Sequence, residues 1–210
     1  KSITAITGDP NRKKALIERF QTKIRSQDKI LAGNWLNHDL LSGVQFDLVI
    51  ADYLLGAIEG FAPYFQNQLF SRLKPHVGGL LYVVGLDPFT AEDRSEGAAI
   101  IRKIAELRDA CILLAGHRPY REYPRKWTEE QLIGSGFKII RSSTFPILFG
   151  KRFVNGQLDV CRRKLFFIKD NYLTKSLESH IEQLRERAET HITNNGKIKF
   201  GSDYLIKAKA

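Results

Sequence analysis

Two short, nearly continuous aliphatic runs, Leu48–Ile50 and Leu80–Val84, stand out along the chain. Each is bounded by polar or glycine residues, the pattern of a strand buried in a parallel sheet. Between them Ala57, Phe61, Phe65, Leu69 and Leu73 recur every fourth position, the spacing of one helical face. Strand, helix and strand in this order predict a right-handed crossover between parallel neighbours. Ligands in such sheets bind beyond the carboxyl ends of the strands. That rule points to Ala51–Leu55 and Gly85–Phe89.

The flanking pattern extends the same alternation. Ser2–Thr7 is β-rich. Asp9 is a helix cap, Pro10 suits the first helical position, and Leu16, Ile17, Phe20 and Ile24 give an amphipathic helix over 10–25. Lys29–Ala32 predicts a short strand ending at Gly33-Asn34-Trp35, and a polar turn over Asn37–Gln45 follows. Thr90 with Asp93 reads as a capping box for a helix carrying Ile100, Ile101, Ile104, Leu107, Ala110 and Cys111. The stretch His117–Arg125 is too polar for a core. Thr128 with Gln131 predicts a second capping box, and the region from Gly136 to Phe149 another strand. Asp170 or Asn171 caps a helix whose Leu173, Leu177, Ile181, Leu184 and Ala188 form a packing stripe. After a turn at Asn194–Gly196, Asp203–Ala208 predicts a last strand.

Composition narrows the class. With 210 residues, 43% hydrophobic and 27% charged, the chain suits one globular domain. No apolar run reaches the ~18 residues of a membrane helix. No leader pattern opens the chain, and Cys111 and Cys161 lack metal-ligand spacing. A reducing, cytoplasmic setting and no metal are therefore expected. The net charge of +10 falls entirely in residues 101–210, and +8 of it within 117–169. Such a patch steers anionic partners, a nucleic acid or a small anionic substrate, or is only a solvated surface.

FDLVIADYLL, a helix, and then LKPHVGGLLYVV resemble the middle of a class I S-adenosylmethionine-dependent methyltransferase. The resemblance covers most of 1–145 and 200–210. It implies an α/β fold: a doubly wound, mostly parallel sheet with an antiparallel last strand, one domain over 1–210, and a substrate-side insertion over 146–200. The cofactor it implies is S-adenosylmethionine. Asp52 and Tyr53 would border its methionine end. Thr7 occupies the position of the usual ribose-binding acid; Asp9 either takes that role or only caps its helix. Asn34 and Trp35 would face the adenine, or Trp35 would be core. The family's first strand and glycine-rich loop should precede Ser2–Thr7 and have no counterpart here. Together with the absence of methionine, this gives the expectation that the N-terminal part of the domain is missing.

The resemblance implies methyl transfer, an in-line displacement in which positioning supplies much of the catalysis. Asp52 is the expected catalytic residue, with His117 either a general base or a surface side chain. Arg118, Arg121 and Arg125 could clamp an anionic group, and Tyr120 and Tyr123 could wall a planar one. Tyr53, Arg118, Tyr120 and Arg121 are the expected substrate contacts, and the acceptor a small anionic or aromatic molecule. ADYL stands where methylases of exocyclic base amines carry Asn/Asp-Pro-Pro-aromatic, which counts against that acceptor. The alternatives are a nucleic-acid-binding or RNA-modifying protein using 117–169, or a non-catalytic subunit of the same fold.

Overall fold

The computed structural model describes residues 1–210. In chain order the elements are β1 (Thr4–Thr7), α1 (Pro10–Phe20), β2 (Lys29–Ala32), β3 (Phe46–Asp52), α2 (Leu54–Ala57), α3 (Gln66–Leu73), β4 (Val77–Leu86), α4 (Glu96–Leu114), α5 (Arg125–Gly134), β5 (Lys138–Phe149), α6 (Lys151–Leu165), α7 (Asn171–Asn195) and β6 (Ile198–Lys209). Four strands form one sheet in the order β3-β4-β6-β5. β3 and β4 pair in parallel, as the aliphatic runs require, and β6 runs antiparallel to both β4 and β5. Only β6 is therefore reversed in this sheet. β1 and β2 form a separate parallel pair.

The crossover between β3 and β4 differs from the single helix that its spacing predicts. Pro63 has no N–H to donate, and Tyr64 is left-handed at φ 65°. The segment therefore splits into α2, a 3₁₀ turn at Ile58–Gly60, and α3. Phe65, Leu69 and Leu73 keep their predicted burial, while Phe61 is left partly exposed. Two caps also differ. Ser95, not Thr90, caps α4 through the Ala98 N–H, and Asp93 instead accepts from Ser95 N. Thr128 lies inside α5, where its hydroxyl meets Tyr204; the first N–H of that helix, on Arg125, donates to Asp87 at 2.8 Å. Asp9 and Asp170 do cap α1 and α7.

Two cores result. One face of the sheet packs Leu81, Val83, Tyr204 and Ile206 against α2, α3 and α5. The other core joins α4, α6 and α7 over Phe149, Ile198 and Phe200, with Cys111 and Cys161 buried in it as free thiols. The segment expected as an insertion is thus the α6–α7 hairpin, packed on α4. By contrast, no residue before Ala51 is buried. The loop after β2 is tied to the rest by polar contacts. Arg72 donates to the carbonyls of Asn37 and Leu40 at 3.0 and 2.8 Å, and Asn34 to that of Phe61 at 2.7 Å. β1 and β3 each keep one unpaired edge, and Leu48 and Ile50 of β3 are 50% and 62% exposed.

Tyr204 fixes the identity of a residue on the neighbouring strand. It pairs with Gly85 across β4 and β6, and a Cβ at position 85 would overlap its ring and hydroxyl. The ring is buried and its hydroxyl is held by Thr128 and the Tyr123 carbonyl, so it cannot move aside cheaply. Gly85→Ala should destabilise the protein by about 2 kcal/mol through overpacking. Gly156→Ala, in α6 with open space around it, should stabilise by roughly 0.5–1 kcal/mol. Urea denaturation of the two variants checks this. Equal stabilities would show that Tyr204 does not constrain position 85.

Candidate active site

A cavity of about 750 Å³ opens beside the carboxyl ends of β3 and β4. Its apolar walls come from Leu86, Phe89, Ile147, Phe149 and Phe153, and its polar groups include Tyr53, Glu122 and Asp203. Each of the three is placed by a different element. Tyr53 ends β3 in the left-handed region, at φ 46° and ψ 22°, a conformation an aromatic residue rarely adopts. Its N–H is held by the Val84 carbonyl and its carbonyl by the Ala57 N–H, so neighbouring backbone imposes the turn. Strain of this kind concentrates at functional positions.

Glu122 belongs to the loop between α4 and α5. That loop is fastened to α2 by Arg121 N–H on the Gly56 carbonyl at 3.2 Å. The Glu122 carboxylate packs on Gly56, where any side chain would overlap it. Asp203 comes from β6, between Ser202, which donates to Asp87, and the core residue Tyr204. Burial pushes the Glu122 carboxyl up to about 7; Arg108 opposes the rise, and Asp203 and Asp109 add to it. Burial also pushes the Tyr53 phenol well above its ordinary range, assisted by the Asp203 carboxylate. The site therefore holds a carboxyl group that changes charge near neutrality beside a phenol that stays protonated.

The expected residues divide between this cavity and other surroundings. Tyr53, Tyr120 and Arg121 line it. Arg118 does not: its guanidinium bonds the buried Glu59 at 2.8 Å and lies over the Tyr64 ring. The structure seats the exposed His117 edge-on against Phe167, outside the cavity lining. Arg125 is tied to Glu129 and Ser142, and Tyr123 stacks on Trp127. Of the cavity's own arginines, Arg108 is bound to Asp109 and Gln157, and Arg102 to the carbonyls of Thr90 and Asp93. The groups poised to clamp an anion are thus mostly engaged. Glu122 is the residue that sequence reasoning passed over. A lone acid in an arginine-rich loop gives no signal, and only Gly56, 66 residues earlier, makes room for it.

The strand ends fit S-adenosylmethionine in part. Asp9 uses Oδ1 on the Asn11 N–H, which leaves Oδ2 for ribose hydroxyls, and Asp52 is exposed at the end of β3. Thr7 lies beside Asp9 and accepts its N–H. Asn34 is less available, since Nδ2 donates to Phe61 and Oδ1 accepts from Leu36. Trp35 packs against the main core beneath Arg72. The ribose and methionine ends thus have candidate partners, whereas Asn34 and Trp35 are turned to structural work.

This strand order, with one reversed strand and the cavity at the strand ends, defines the fold of class I S-adenosylmethionine-dependent methyltransferases. No protein-family model and no curated protein matches the chain. Solved structures do. A methyltransferase candidate from Bacillus halodurans C-125 superimposes with a TM-score of 0.59 at 15% identity, over 99% of this chain and 82% of that one. The mycolic acid cyclopropane synthase CmaA1, solved with S-adenosylhomocysteine, gives 0.56 at 13% identity, over 100% and 70%. The [4+2]-cyclase SpnF gives 0.53 at 12%, over 99% and 66%. At these identities the likeness establishes the fold, and the fold hosts more than one reaction.

The Glu122 shift makes stability depend on pH. Its folded pKa, about 7, is raised above the ordinary 4.5. The folded state therefore binds more protons between these values, and the associated stability is present below pH 4.5 and lost as pH rises through 7. Glu122→Gln should leave stability at pH 4.5 nearly unchanged and raise it at pH 8 by on the order of 2 kcal/mol. Urea denaturation at the two values is the measurement. An equal effect at both would show that the carboxyl is not buried enough to resist ionisation.

Proposed function

We propose that this protein transfers a methyl group from S-adenosylmethionine to a small, protonatable acceptor, an amine or a phenol, bound in the cavity at the end of β3. The observation that carries the reading is the grouping of Tyr53, Glu122 and Asp203 at the carboxyl edge of a sheet with this fold. When bound, the cofactor supplies an electrophilic methyl group on a sulfonium. Asp9 holds the ribose, and Asp52 and Tyr53 border the methionine end. The wall of Phe89, Phe149, Phe153 and Tyr120 excludes water and orients a planar acceptor. Glu122, ionised above about pH 7, takes the proton that the acceptor nitrogen or oxygen gives up.

The acid-rich lining and the engagement of Arg118, Arg102 and Arg108 support a neutral or cationic acceptor over an anionic one. The unpaired edges of β1 and β3 accept a further strand, which in this reading brings the glycine-rich loop that cradles the cofactor. His117 takes no part in the chemistry.

Calorimetry of the full-length protein with S-adenosylhomocysteine tests the cofactor, and binding that Asp9→Ala weakens is expected. No heat at millimolar ligand removes the reading. For the base, kcat/KM with any accepted substrate should rise through about pH 7, and Glu122→Gln should lower it by about 10²-fold or more and flatten that rise. An unchanged profile in the variant would assign proton removal to another group.

A further inference from the structure

One end of the helical layer carries a surface that the packing of the fold leaves unexplained. α4 and α6 lie side by side in the same direction: Arg108 donates to Gln157 at 2.9 Å, and Cys111 faces Cys161 one turn further along. Their C-terminal ends are therefore adjacent, with the His117 ring 5.1 Å from Phe167. α7 returns antiparallel along α6, with Asn155 on Glu189 and Arg162 on Glu182, so its first turn reaches the same end. There Phe166 is 88% exposed and Tyr172 90%, beside the exposed Leu113, Leu114 and Phe167.

Cations surround these side chains. Arg162, Arg163, Lys164, Lys169 and Lys175 all belong to the hairpin end, and among them only Arg162 has a carboxylate partner. The nearest acid in sequence, Asp170, is committed to capping α7. A protruding apolar tip inside a basic collar matches the interface of an anionic bilayer. Rings and aliphatic side chains enter at headgroup depth, and the cations stay at the charged surface. A single-stranded nucleic acid would need flat rings on which successive bases stack. Here Phe166 stands at 89° to Phe167, and His117 at 77° to the same ring, so these rings share no common face along which successive bases would run. No helix is long and apolar enough to cross a membrane.

We propose that the joined ends of α4, α6 and α7 dock the protein on anionic lipid membranes. This stands independently of the methyl-transfer reading, although Leu113 also lines the cavity and so places the docking end beside its wall. The test is flotation of the full-length protein with vesicles of phosphatidylcholine, alone or with about 30 mol% phosphatidylserine, at about 0.1 M salt. Binding to the anionic vesicles at least about tenfold tighter than to the neutral ones is expected. Phe166→Ser with Tyr172→Ser should weaken it about tenfold at an unchanged melting temperature, since both rings are solvent-facing. Arg163→Glu with Lys169→Glu should abolish the preference for the anionic lipid. Protein that stays unbound with both vesicles, or anionic binding indifferent to the aromatic pair, overturns the proposal. So does tight, salt-sensitive binding of an RNA oligonucleotide that the charge variant loses and the aromatic variant keeps.

Discussion

β6 lies between β4 and β5, and the rest of the molecule is arranged around that insertion. Three successive residues of the strand do three different things. Ser202 donates to Asp87, whose other oxygen accepts from the first N–H of α5. Asp203 enters the cavity. Tyr204 fills the core, where its hydroxyl joins Thr128 to the Tyr123 carbonyl. A buried phenol without partners would cost about 1–3 kcal/mol, so α5 and the loop before it must keep their places. That loop carries Glu122. The position of the candidate base thus follows from a core hydrogen bond on the residue after it. Because β6 pairs with strands far earlier in the chain, the main sheet closes only after long-range contacts form, which favours slow folding.

The cavity and the strand ends divide the proposed chemistry between them. Phenylalanines and a left-handed tyrosine shape one side, and burial moves a carboxyl toward neutrality. On the other side, the β1–α1–β2 unit has no buried residue of its own, and the loop that follows it is tied down by Arg72 and Asn34. Leu48 and Ile50 on β3 lie half exposed or more beside the free edges of β1 and β3. The same architecture in a cyclopropane synthase and in a [4+2]-cyclase means that the reaction must be argued from side chains in the cavity rather than from the sheet.

Much of the sheet was legible in the sequence because its strands are short continuous aliphatic runs; in β4 the run buries Leu81 and Val83, whereas in β3 Leu48 and Ile50 show the same pattern yet lie half exposed or more. The caps Asp9 and Asp170 were equally plain. What could not be read were features that depend on distant residues. The break at Pro63–Tyr64 lay inside an unbroken helical spacing. Thr128 resembled a cap, yet its hydroxyl serves Tyr204, 76 positions away. Arg118 looked free for a substrate until Glu59 was found buried against it. Glu122 had no motif at all; its surroundings come from Gly56, Arg108 and Asp203, which only the fold assembles.

Hydrogen–deuterium exchange with and without saturating S-adenosylhomocysteine bears most directly on the claim that the strand ends bind the cofactor. The account predicts slowed exchange at Gly8–Asp9 and across Asp52–Leu55, with α7 unchanged. Protection confined to α6 and α7, or none at the ends of β1 and β3, would contradict it.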